Sequence, residues 1–168
     1  MGYNVSIEQG TVRIPIVHMD RVYAAMCELN NLPNDTKNGG MWTGGEQEDA
    51  WFSWMPANYP EVLHTAEQIL NELGFQDLFT DQGDLIVHSY DSKIGQERLF
   101  IASIAPWIKP DSVLYWLGED GRRWRWTFIG GVLEEREGRI IYEDDPTWST
   151  VNPDAPVIGS GGGYYPGI

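Results

Sequence analysis

Residues 113–143, VLYWLGEDGRRWRWTFIGGVLEEREGRIIYE, constrain the fold more than any other stretch, because apolar residues alternate along them and each run ends in a turn dipeptide. Asp120-Gly121, Gly130-Gly131 and Glu137-Gly138 supply the positive φ that tight hairpins require, so the stretch predicts four consecutive antiparallel strands, a β-meander. Pairing the first hairpin across Asp120-Gly121 sets Leu117 opposite Trp124, Tyr115 opposite Trp126 and Val113 opposite Phe128, and this face is the expected core. A four-residue loop, Gly118 to Gly121, would shift the partners by two positions and leave the same residues inside, since side chains alternate with period 2. The opposite face then carries Leu114, Trp116, Arg123, Arg125 and Thr127, a partly wet surface where guanidinium groups lie across an indole.

The rest of the chain supplies helices and further strands. Residues 3–16 alternate as Tyr3, Val5, Ile7 and then Val12, Ile14, Ile16, interrupted at Gln9-Gly10, so they form a strand pair or one strand followed by an irregular edge. Pro15 cannot donate to a ladder, which puts the second run at a sheet edge or leading out of the sheet. Val22, Ala25, Met26 and Leu29 share one side of a helix over 20–30, and residues 31–50 are rich enough in Asn, Gly, Asp and Thr to predict a long loop. Trp51–Pro56 reads as a short strand or a loop packed on the core. Asn58 caps and Pro60 starts a helix over 59–73, the strongest helical pattern, which Gly74 closes. Two strands, Phe75–Phe79 and Leu85–Tyr90, flank a loop at 80–84, and a helix over 96–105 is stopped by Pro106. The expected fold is α+β: an antiparallel meander sheet with two or three packed helices. It forms one domain over 1–145, followed by a Gly/Pro-rich tail at 146–168 that cannot build a packed element.

Charge and cysteine usage narrow the function classes. With 25 acidic against 11 basic residues the net charge is −14, so nucleic acid is disfavoured as a ligand, and a basic partner or none fits better. The competing reading is that excess acid keeps an aromatic-rich protein soluble. Cys27 alone cannot make an internal disulfide, and its place in a helical pattern makes it a small buried hydrophobe, which favours a reducing, cytoplasmic setting. No apolar run approaches the roughly 20 residues of a membrane span, and the N-terminus lacks a signal-peptide pattern, so a soluble, unprocessed protein without membrane attachment is expected.

No catalytic residue, metal or cofactor is assigned. His18, His64 and His88 lack ligand spacing, and neither Ser89 nor Ser92 sits in a G-x-S-x-G elbow. Gly39-Gly40, Gly44-Gly45 and Gly161–Gly163 lack the strand-to-helix context of a phosphate loop, and Thr80–Asp84 with Asp77 lacks EF-hand spacing. The tryptophans are more informative. Trp42, Trp116 and Trp148 fall in loops or on the presumed outer face, and Trp116, Arg123 and Arg125 combine residue types that protein interfaces favour, which makes them the candidate partner-binding residues. A helix such as 59–73 covering that face is the competing reading.

The segment GQERLFIASIAPWI followed by SVLYWLGEDGRRWRWTF resembles small uncharacterised proteins of bacteriophages and actinobacteria, in which GQE-x-LF-x-x-x-IAP precedes a YW-x-GEDG-x-x-WRW hairpin. The resemblance spans residues 94–143. It implies a phage-like or mobile-element origin and carries over no catalytic residue. The expected function is that of a non-enzymatic acidic interaction protein, such as a phage factor that binds and inhibits or redirects a host protein. A virion-associated or structural protein using the tail as a docking arm is one alternative. A small enzyme or ligand-binding protein, with His88, Asp91 and the 31–50 loop converging, is another. The expected partner is a protein, with exposed aromatics that would serve a homo-oligomer as well.

Overall fold

The structure, a computed structural model, describes residues 2–139. Strand β1 (Asn4–Pro15) runs through the middle of an eight-stranded antiparallel sheet, ahead of helix α1 (Met19–Glu28). A separate hairpin follows, β2 (Gly39–Thr43) and β3 (Glu46–Trp51), then helices α2 (Tyr59–Val62) and α3 (Ala66–Leu73). Strands β4 (Phe75–Gln76), β5 (Phe79–Asp81), β6 (Asp84–Val87) and β7 (Ser89–Lys93) lead to helix α4 (Glu97–Ile104), and strands β8 (Val113–Gly118), β9 (Arg123–Ile129) and β10 (Val132–Gly138) complete the described chain. The architecture is α+β, as the alternation and the helical periods predict.

One continuous strand accounts for the whole N-terminal pattern, because β1 contains a bulge. Ile7 faces Trp116 but Gln9 faces Tyr115, so one extra residue on β1 shifts the alternation from odd to even positions. Val5 on one side of the bulge and Val12 and Ile14 on the other are therefore all buried. β1 has neighbours along both edges: β8 on one, and β7 then β6 in turn along the other. Pro15 pairs opposite Asp84 as the last residue of the strand and leads into a 3-10 turn at Ile16–His18, so it leaves the sheet instead of forming its edge.

Four expectations for the middle of the chain are corrected. The 31–50 stretch contains the β2–β3 hairpin, turned at Gly44-Gly45, where φ is +63° and +89°, values that two consecutive glycines reach without strain. The helix expected over 59–73 is two helices. Thr65 caps the second, its Oγ1 accepting from the Gln68 N–H while the Gln68 side chain accepts from the His64 N–H, a variant of the capping box that T-x-x-Q spells in the sequence. The Tyr23 hydroxyl donates to the Leu63 carbonyl at the break, 2.7 Å away. The loop expected at 80–84 tightens to Gln82-Gly83, and Pro106 lies inside a 3-10 turn, Ala105–Trp107, that extends α4.

The meander forms with the opposite face inward on its first strand. Gly121, at φ +84°, completes a three-residue loop in which the Gly118 N–H donates to Arg122 O and the Gly121 N–H to Gly118 O. An odd loop moves the register by one, and Trp116 faces Trp124, Leu114 faces Trp126 and Tyr115 faces Arg125. Leu114 and Trp116 are consequently buried with Trp126 and Phe128, while Tyr115 is 38% exposed. Glu137 and Gly138, expected to turn, continue β10 opposite Trp124 and Arg123. The fourth strand expected after them lies, from residue 140 on, outside the described residues, as do Trp148 and the tail at 146–168.

One core joins the inner sheet face to the helices: Val12, Ile14 and Trp116 pack in the same cluster as Val22 and Met26 of α1, Leu70 and Leu73 of α3, and Phe100 and Ile104 of α4. Among the described residues no helix is long and apolar enough to cross a membrane.

Candidate functional site

The proposed contact residues separate. Trp116 is 1% exposed, stacked parallel to Trp124 with centroids 6.1 Å apart and tilted against Trp126 at 4.6 Å, so it is a core residue and not a surface anchor. Arg123 is half-buried and grips Glu8 with two hydrogen bonds of 3.1 Å, a bidentate pair that ties β9 to the bulge of β1. Arg125 is exposed and faces Arg136 across the ladder. The three do not form one patch.

The remaining polar candidates are held by structural partners. The His88 ring contacts the Asp77 carbonyl at 3.2 Å and Phe79 edge-on, whereas Asp91 is paired opposite Ser6 on β1. Asp84, 3% exposed, accepts from Lys109 Nζ at 2.6 Å with Arg13 at 3.7 Å, so cationic side chains occupy the carboxylate that the calcium reading would need. Among the described residues no group of three His, Cys, Asp or Glu side chains is placed to hold a metal.

Two features remain that present chemistry outward. The first is a cleft of about 420 Å³ along β9 and β10, the latter the end strand of the sheet among the described residues, where the start of α4 approaches the sheet. Trp124 and Trp126 line it from β9, Glu135 and Glu137 from β10, and Tyr3, Glu97, Arg98 and Arg122 also border it. The register sets Glu135 opposite Trp126 and Glu137 opposite Trp124, so each indole has a carboxylate beside it on the same face. Glu135 accepts from Trp126 Nε1 at 2.7 Å and forms an ion pair with Arg98, Nε 3.3 Å away, and Arg122 reaches Glu137 at 2.6 Å. Glu97 is 3% exposed and accepts from the Gly95 N–H at 2.8 Å. Burial pushes its carboxyl up from the ordinary value of 4.5, against the opposing pull of the Glu97 and Gly95 N–H groups and the Tyr90 hydroxyl.

That shift has a definite sign in stability. With the folded value above 4.5, the folded chain keeps a proton that the unfolded chain has lost, so Glu97 makes stability fall as pH rises through the window above 4.5. Glu97→Gln, which still offers a carbonyl to Gly95, is expected to melt above the wild type at pH 7 and to lose that advantage below about pH 4.5. Thermal melts of both chains across this range are the check; an equal melting temperature at every pH would show that the carboxyl is not held protonated by the fold.

The second feature is the β2–β3 hairpin. Every residue from Met41 to Glu46 is exposed, Met41 by 56% and Trp42 by 67%. Its base is fixed: Gln96 Oε1 accepts from the Asn38 and Ser53 N–H groups, Gln96 Nε2 donates to Thr36 O, and Lys37 Nζ lies 5.5 Å from the Phe52 ring centroid. Trp54, at φ +69° and 48% exposed, packs against Gly95, where a Cβ would come within 2.5 Å of the indole. The chain matches no family model, no curated protein and no solved structure.

Sequence reading anticipated an outward-facing Trp42 but missed the hairpin that carries it. The signal was present in Gly44-Gly45 between Trp42-Thr43 and Glu46-Gln47, the two-residue turn of a short hairpin. Glu97 carried no signal, because only the packing of α4 removes it from water.

Proposed function

We propose that the chain is a non-enzymatic acidic interaction protein that inserts the tip of its β2–β3 hairpin into a groove on a basic partner protein. The exposure of Met41 and Trp42 carries this reading. Neighbours on a strand point to opposite faces, so the hairpin offers an apolar anchor on each side, and only a concave surface meets both. Glu46, Glu48 and Asp49 flank the anchors with no cation between residues 39 and 51, and the chain as a whole carries a charge of −14, so a partner with a basic rim is complementary. The resemblance of residues 94–143 implies a phage-like or mobile-element origin, and the proposed setting is a phage-borne factor acting on a host protein in the cytoplasm.

The test is capture of a partner by the wild-type chain and by Met41→Ser/Trp42→Ser. Loss of a tryptophan anchor typically costs about 2 kcal/mol or more, so capture is expected to weaken at least thirty-fold (~2 kcal/mol) while the melting temperature stays unchanged. The captured protein should be basic and released by salt. Undiminished capture by the double variant would place the interface elsewhere.

A further inference from the structure

We propose that the cleft at the β9–β10 edge is a binding site for a guanidinium group, the side chain of arginine in particular, held against the half-buried indole of Trp124 by the carboxylates of Glu135 and Glu137. This rests on the cleft alone and is independent of the hairpin.

The ladder builds the recognition pattern. Trp124 and Trp126 lie two residues apart on β9, on one face, and β10 sets Glu137 and Glu135 directly across from them. An indole beside a carboxylate is matched to a flat, weakly hydrated cation, which stacks on the ring and donates in its own plane to the acid. The carboxylate half of this pattern is already in use. Arg98 and Arg122 place their own guanidinium groups on Glu135 and Glu137, and with side chains 55% and 67% exposed they are held by surface ion pairs that an incoming group can displace.

Charge favours a cation over the alternatives. Of the charged groups bordering the cleft, Glu135 and Glu137 balance Arg98 and Arg122, and Glu97, buried and shifted toward its neutral form, adds no fixed charge, so the preference for a cation comes from the acidic chain around the cleft. The third arginine along it, Arg123, is committed to Glu8. The field of a chain with net charge −14 raises the local concentration of cations and repels anions. An ammonium is a weaker match, because it is a compact, strongly hydrated point charge. The opposing reading is a wet groove crossed by two surface ion pairs that binds nothing.

The experiment follows the indole N–H resonances of the full chain during titration with N-acetyl-arginine methylamide, and with N-acetyl-citrulline methylamide as the neutral isostere. Saturable shifts at Trp124 and Trp126 are expected with the arginine probe, at least tenfold weaker with the citrulline one. Trp124→Leu, which stays apolar but removes the ring, is expected to weaken the arginine response about tenfold. So is Glu137→Gln, at a carboxylate 78% exposed and dispensable for packing. A Gly-Ser peptide bearing one arginine separates the sources: tighter binding than the single amino acid points to a partner's side chain, and equal or weaker binding to a free small molecule. Equal response to arginine and citrulline, no saturation, or shifts elsewhere than Trp124 and Trp126 would overturn the assignment.

Discussion

Trp116→Ala is expected to remove about 3–5 kcal/mol of stability, the range for deleting a fully buried large aromatic, and to lower the melting temperature by about 10 °C or more. The ring is 1% exposed and touches four others, Phe75 at 6.3 Å, Tyr90 at 5.2 Å, Trp124 at 6.1 Å and Trp126 at 4.6 Å between centroids. Those partners come from β4, β7 and β9, so the cavity would open where three strands meet over the centre of the sheet. The surrounding rings are too stiff to collapse into it. Trp116→Phe separates packing from hydrogen bonding. Among the described residues the Trp116 Nε1 has no partner, so the phenyl ring loses volume without stranding an acceptor, and the cost is expected to be well below that of alanine. Urea or thermal unfolding of both variants measures the difference. A Trp116→Ala chain that melts like the wild type would return this side chain to the surface and restore the contact face first read from the sequence.

Gly10→Ala is expected to cost about 2–4 kcal/mol, since it combines a positive-φ penalty of about 1–3 kcal/mol with a steric one. Gly10 sits at φ +108° beside the β1 bulge, and an added Cβ would lie 2.2 Å from the carbonyl oxygen of Val113 and 3.0 Å from its carbon. Both atoms are backbone of the neighbouring strand, so no side chain can swing aside, and relief requires the β1–β8 ladder to open. Gly44→Ala is the internal reference. At φ +63° an added Cβ there meets nothing within 4 Å, so only the conformational penalty remains and a smaller loss is expected. Parallel unfolding curves decide the matter, and equal losses for the two variants would mean that the bulge yields to the methyl group.

These two positions also mark what local sequence could and could not settle. Alternation of Trp124, Trp126 and Phe128 with Arg123, Arg125 and Thr127, and the glycine dipeptides between runs, follow from the period of a pleated strand, which is a property of consecutive residues. Strand number in the described meander, the helix of α1 and the αL cap at Gly74, with φ +115°, were legible for the same reason. The Thr65–Gln68 cap that splits the second helix was legible too, but a strong apolar repeat on either side concealed it.

The face that each strand turns inward was not local. It depends on whether the loop holds an even or odd number of residues, and Gly118–Gly121 is compatible with either until β1 docks on β8. The docking decides it: Glu119 N–H donates to Asn4 O, Asn4 Nδ2 to Glu119, and the Tyr3 hydroxyl to Asp120, which together hold the odd turn in place. The bulge at Ile7–Gly10 must then match, so that Ile7 meets Trp116 and Gly10 meets Leu114. Residues a hundred positions apart thus fix a one-residue choice. The cleft has the same origin, since Glu97 and Trp126 belong to elements that no short-range pattern links. The sequence alone determined which residues alternate, cap and turn, because those depend on neighbours along the chain; only the tertiary structure decided which of them face the core, the cleft or water, because burial is shared between segments that meet after folding.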